Sequence, residues 1–325
     1  MKTEHYIADE YERLDIYLSK KIDESRSAVS NLIKKSSIKI NGNLITKPSH
    51  KLRPGDEITV TYPEAETTPA EIIPDFDVPV IYEDDQILVI NKPSGVVVHP
   101  APSYKGPTLV DWLKHKGISL STVSGEERHG IVHRIDKETS GAMVIAKTNE
   151  AHQLLSDQLK DRSMGRYYLA LIDLPLKDRC IVDAPIARNP KNRLKMGIVP
   201  GGKEAKSAFA KLALGKSGKT ELVAAKLFSG RTHQIRVHLG SLQRHILGDV
   251  LYGYKGNDSK IDRVFLHAYL LYLNHPTTKK QMHFKAELPA DFTAVLDREF
   301  QKETIDETIS PEHIVDSFLA CSDWV

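Results

Sequence analysis

Between residues 78 and 290, short β-rich runs outnumber helical ones, and most follow one another through short turns. VIYEDD and ILVINK flank an acidic turn. GAMVIAKT, RYYLALI, SAFAKLALG, TELVAAKLF and HQIRVHLG read as further strands, while TLVDWLKHK and EAHQLLSDQLKD read as helices. Consecutive strands joined by short turns pair antiparallel. The expected fold class is therefore α+β, built on a large mixed, mainly antiparallel β-sheet with flanking helices and loops. No glycine-rich phosphate loop follows any of these strands, which excludes a nucleotide-cradling βαβ unit.

The first 60 residues follow a different pattern. ERLDIYLSKKI places Leu14, Tyr17, Leu18 and Ile22 on one helical face, and Ser25 is positioned to cap a second helix, SRSAVSNLIKKS. IKINGNLI carries the Asn-Gly pair of a tight hairpin. Such a unit barely sustains its own core, and it presents Arg26, Lys34, Lys35 and Lys39 on its surface. TYPEAETTPAEIIPDFD is proline-rich, acidic and aperiodic, and reads as a linker. These boundaries predict a small domain at 1–62 with its core at 12–60, a linker at 63–77, a large domain at 78–300 and an acidic tail at 301–325.

Composition excludes several classes. No apolar run approaches the roughly 18 residues of a membrane span, and the N-terminal residues do not form a secretion signal. Two cysteines, Cys180 and Cys321, are too few for a disulfide framework or a thiolate zinc site, which points to a reducing cytoplasm. The net charge of +2 conceals a segregation. Residues 11–60 carry ten Lys/Arg against six Asp/Glu, whereas 301–325 carry one Lys against six acids. A basic body suits a polyanionic partner.

Chemistry concentrates in HRIDKETSG, 133–141. Asp136 lies just after a strand, in a loop bounded by Gly130 and Gly141, where a rigid sheet can present a reactive carboxylate. A cation must face it. Arg134 is adjacent, but Arg231, in a Gly-Arg-Thr turn read as leading into a strand, is the favoured partner because a guanidinium grips a carboxylate bidentately. The histidines His133, His233 and His238 lack metal-ligand spacing, and no metal is expected.

Two resemblances sharpen this reading. RLDIYL, SRSAVSNLI, IKING and KLRPGDEI resemble, in order, the small RNA-binding module of the ribosomal protein S-four type, which implies docking on structured RNA. HRIDKETSG, GRTHQIRVHL, NKPSGVVVHP, GRYYLAL, HILGDVLYG and LHAYLLYLNHP resemble the RluA-like family of pseudouridine synthases over roughly residues 80–290. That resemblance implies isomerisation of uridine to pseudouridine in RNA, without cofactor or metal; a monomer is the expected state, though the sequence does not fix it. It implies that Asp136 is the catalytic aspartate, that Tyr168 (rather than Tyr167) stacks on the target base, and that Arg231 pairs with the aspartate. Arg134 and His133 would support the loop or the displaced strand. Large-subunit ribosomal RNA is the expected substrate, with transfer RNA as the alternative. A ribosomal RNA-binding assembly factor without chemistry and a free-standing glycosidase are the competing readings. The glycosidase is weakened by the lack of a second, paired carboxylate.

Overall fold

The computed structural model of the protein describes residues 2–22, 29–30, 32–33, 37–62, 73–101, 104–123, 125, 128–256, 258 and 261–319. The chain divides into two compact units, Met1–Ile72 and Ile73–Val325.

In the smaller unit, β1 (Lys2–Ile7), β4 (Glu57–Tyr62), β2 (Ile38–Ile40) and β3 (Asn43–Leu44) form a four-stranded sheet in that spatial order, beside α1 (Leu14–Lys21). β1 pairs with β4 and was not foreseen from the sequence. The β2–β3 turn has Asn41 at φ 48° and Gly42 at φ 79°, the left-handed pair that a two-residue hairpin requires. Leu14, Tyr17, Leu18 and Ile22 are buried against Ile38, Ile40, Leu52, Ile58 and Val60. Alternation along β2 leaves Lys39 exposed between Ile38 and Ile40. Arg26, Lys34 and Lys35 lie outside the described residues.

The larger unit is built on nine strands: β5 (Val80–Glu83), β6 (Ile87–Lys92), β7 (Ser140–Ala146), β8 (Gly165–Ile172), β9 (Cys180–Asp183), β12 (Lys206–Leu214), β13 (Glu221–Leu227), β14 (Leu266–Asn274) and β15 (Gln281–Lys285). A separate hairpin joins β10 (Ile186–Arg188) to β11 (Met196–Ile198). The spatial order is β5-β6-β7-β14-β8-β13-β12-β9, with β15 also on β14. Every pairing is antiparallel except β7 with β14, so the sheet is mixed and mainly antiparallel.

β6 and β7 are apolar on both faces because both faces are covered. Leu88, Ile90, Met143 and Ile145 enter the core shared with α2 (Leu109–His115). Ile87, Val89, Ala142, Val144 and Ala146 pack against Ala151 and Leu155 of α3 (Asn149–Asp161).

One expectation is corrected here, and one left open is resolved. HQIRVHLG is not a strand but α4 (Gln234–Ser241). Its polar and apolar residues alternate, but all of Gln234–Leu239 are buried, so the alternation does not mark a wet face and a dry face. The acidic end does not stand apart over its described length. After α5 (Ala290–Glu299), α6 (Lys302–Thr308) buries Ile305, α7 (Pro311–Asp316) buries Ile314, and Phe318 just beyond α7 joins them in the main core. Among the described residues, no helix is long and apolar enough to cross a membrane.

Candidate active site

Backbone contacts hold the loop that carries Asp136. Thr139 N–H donates to Asp136 O at 3.1 Å, and Gly95 N–H to Lys137 O at 2.9 Å. Beneath the loop lies Lys92, fully buried, whose ammonium donates to Pro93 O at 2.7 Å, Val96 O at 2.9 Å and Lys137 O at 3.2 Å. Burial pushes its pKa down to about 7, against the opposing charges of Asp136 and Glu138. Its three N–H groups staple the NKPSG turn to the Asp136 loop. Where the loop enters β7, Gly141 sits at φ 119°, and a Cβ there would lie 2.3 Å from Ala268 O. Only glycine permits this close β7–β14 contact.

The opposite wall is α4 and the turn before it. Gln234 locks the turn: its Oε1 accepts from Ser229 Oγ at 2.8 Å and Arg231 N–H at 3.0 Å, while its Nε2 donates to Lys206 O and Ser207 Oγ. His233, the residue that precedes α4, and Arg236, on its first turn, both face Asp136. Arg236 Nη1 lies 3.5 Å from Asp136 Oδ2. The same guanidinium donates to buried Asp249 through Nε at 2.7 Å and Nη2 at 2.8 Å, and it stacks 4.8 Å from the Tyr252 ring centre. Burial works against the charge of Arg236, but the Asp249 hydrogen bonds and the Asp249 and Asp136 charges outweigh it, so its pKa is raised. His233 Nδ1 meets Tyr252 Oη at 2.8 Å, and its Nε2 is 4.0 Å from Asp136 Oδ2. Burial holds His233 below the usual histidine range despite Asp136.

Asp136, Tyr168, Arg231, His233, Arg236, Leu227 and Leu266 line one cavity of about 70 Å³. A buried water needs roughly 10–15 Å³ by this measure, so the space matches one flat ring, not a stacked strand. Tyr168 pairs across the sheet with Ala225 and Ala268, and its ring forms a wall of this cavity. Tyr167 does not line it and packs on Tyr272 and Phe318. Arg231 reaches the same rim but does not pair with Asp136. Its Nε donates to Glu204 O at 2.9 Å, and Arg236 takes the expected position. The helical geometry of α4 accounts for the difference, because it turns Arg236 toward the loop. Arg134 is exposed on the rim and donates to His99 Nε2 at 3.2 Å. His133 is buried behind the loop, between Val144 N–H and Arg166. Sequence reading missed Arg236, Asp249 and Lys92. The i, i+3 pair His233/Arg236 and the i, i+4 pair Gln234/His238 were the signal available.

Comparison with known proteins gives the family of the chain. Residues 86–241 match the family model described as RNA pseudouridylate synthase, and residues 12–58 match the S4 domain. A Helicobacter pylori (strain J99) protein named "Uncharacterized RNA pseudouridine synthase" is 45% identical over 317 residues, covering 95% of this chain and 97% of that protein. "Ribosomal large subunit pseudouridine synthase D" of Zymomonas mobilis is 39% identical over 290 residues, covering 86% and 91%. Among solved structures, human RNA Pseudouridylate Synthase Domain Containing 1 shares the fold, with a TM-score of 0.57 at 24% identity, covering 75% of this chain and 95% of that one. The chain belongs to the RNA pseudouridine synthase family and carries an S4 domain at its N-terminal side.

Proposed function

We propose that the protein converts uridine to pseudouridine in large-subunit ribosomal RNA, with Asp136 as the reacting carboxylate and the target base turned out of its stack into the cavity against Tyr168. The observation that carries this reading is Asp136 facing Arg236 at 3.5 Å inside a ring-sized cavity walled by Tyr168.

The isomerisation breaks the bond from N1 to C1′ of the ribose and forms one from C5 to C1′. Overall, C5 loses a proton and N1 gains one, so the reaction needs no oxidant or co-reactant. Asp136 has two routes: attack on C1′, or removal of the proton on the neighbouring C2′. Both expel uracil as an anion, which must stay bound while it rotates. A glycosidase's second carboxylate is unnecessary when the leaving group is held in place. A base inside a helix cannot reach Asp136, so it must flip, and Tyr168 offers the face on which it lands. The ribosomal substrate is supported by the name of the Zymomonas relative and by the S4 domain. Lys39, Arg26, Lys34 and Lys35 are proposed as RNA contacts of that domain.

The test is to map pseudouridines in ribosomal and transfer RNA from cells lacking the protein, complemented with wild type or Asp136→Asn. The proposal requires ribosomal sites that vanish and return only with wild type. Sites confined to transfer RNA refute the substrate, and sites restored by Asp136→Asn refute the mechanism.

A further inference from the structure

A second cavity of about 480 Å³ opens beside the first and shares Arg134, Arg166, Leu227 and Gly230 with it. Arg162, at the end of α3, and Lys226, on β13, also line it, whereas among the described residues no aspartate or glutamate does. The one histidine in its wall, His133, is held neutral by burial, with the Arg166 charge adding to the effect. Four cations therefore surround a space with no lining counter-charge. Such a wall concentrates anions.

Arg166, on β8, is the member that most needs a partner. It is 7% exposed, and a buried guanidinium is ordinarily paired with a carboxylate. Among the described residues none is within ion-pair distance of it. Its Nη1 meets His133 Nδ1 at 2.8 Å, while Val144 N–H donates to the same ring at Nε2, 3.1 Å away. A neutral imidazole has one lone pair to share between these two donors. Arg166 Nε is buried and has no hydrogen-bond partner among the described residues. The site has N–H groups to spare and lacks an acceptor.

We propose that this cavity is a phosphate subsite that takes a phosphodiester of the RNA strand next to the target nucleotide, with Arg166 gripping it from below and Arg162 and Lys226 from the rim. The inference rests on the pseudouridine synthase reading and deepens it: a nucleotide held at Asp136 carries its own backbone across the wall the two cavities share. A second flipped base could stack on Phe228, but it would leave four cations without a counter-charge.

The probe is a fluorescent twelve-nucleotide oligouridylate titrated with the full chain over a series of KCl concentrations. Arg166→Gln is expected to raise Kd roughly tenfold or more at low salt and to flatten the log Kd against log salt slope by about 0.7, one single-strand phosphate contact. Arg166→Lys restores most of that slope. The pair Arg162→Gln/Lys226→Gln flattens it by up to about 1.4. Because these two reach the surface, they decide the matter should Arg166→Gln not fold in a thermal melt. A Kd raised by one constant factor at every salt concentration means a base occupies the site, and it overturns the proposal, as does an unchanged Kd. Pseudouridine formation by wild type with unchanged slopes sinks the subsite alone. Altered slopes without any pseudouridine sink the enzymatic reading and leave an anion subsite standing.

Discussion

Arg236→Lys, set against Arg231→Lys, decides which arginine serves Asp136. Arg236 does two things at once: Nε and Nη2 chelate Asp249 at 2.7 and 2.8 Å, and Nη1 lies 3.5 Å from Asp136 Oδ2. A lysine ammonium is a single point and cannot do both. Asp249, 1% exposed, holds the substituted charge because an unpaired buried carboxylate is the costlier outcome. The cation then retreats from Asp136 to about 6 Å. With an effective dielectric of about 20, the Coulomb energy falls from about 4.7 to about 2.8 kcal/mol. The rate falls to the extent that this pairing holds Asp136 ionised and oriented for reaction, and a loss of roughly 2 kcal/mol sets the fall in the single-turnover rate of pseudouridine formation at up to about 30-fold. The loss of one charge-assisted hydrogen bond to Asp249 costs about 1.5–3 kcal/mol of stability, which urea unfolding reads separately. Among the described residues Arg231 makes one side-chain bond, to Glu204 O, near the surface. Arg231→Lys should change the rate less than about threefold and stability by under ~1 kcal/mol. The reasoning is wrong if Arg231→Lys is the slower enzyme, or if Arg236→Lys keeps more than a third of the wild-type rate while folded.

Tyr168→Phe should retain most activity, because the ring supplies the stacking face, while Tyr168→Ala should weaken base capture by about 1–3 kcal/mol; single-turnover rates for the three proteins test this order. Gly141→Ala forces a Cβ to 2.3 Å from Ala268 O at φ 119°; a cost of about 3 kcal/mol or more should appear as a melting-temperature drop of roughly 6–12 °C. Acid should also weaken the fold through His267, which is fully buried and which burial pushes to about 4. The unfolded chain protonates near 6.5 and the folded chain does not, so stability falls as pH drops from about 6.5 to about 4, by roughly 3 kcal/mol in total. Urea midpoints across that range should slope for wild type and flatten for His267→Gln.

How legible the molecule was depends on how far each feature is local. The hairpin at Asn41-Gly42 and the covered strands β6 and β7 declare themselves within a few residues, through turn chemistry and apolar runs. So does the Asp136 loop, whose turn and glycine are contiguous. β1 did not, because KTEHYI lacks alternation and acquires strand structure only by pairing with β4, some 50 residues on. The acidic end was left open for another reason. Its apolar residues suited a docking helix, but only the folded core shows Ile305, Ile314 and Phe318 buried. A surface can be acidic on its wet side and still be welded to the protein on its dry side.

The misread helix α4 shows why the site resists the rules that read the scaffold so well. Alternating polarity marks a strand only where the polar side faces water. In Gln234–Leu239 no side does. Gln234 and His238 bind Ser207 and its neighbours inside the protein, and Arg236 is spent on Asp249 and Asp136. The candidate site keeps a carboxylate and a guanidinium close together and largely out of water, and it does so by burying polar residues where periodicity counts them as exposed. Local pattern and true environment therefore part company at the groups that face the reacting nucleotide, and a segment whose polar residues find partners only in the folded core is a signature of such a site.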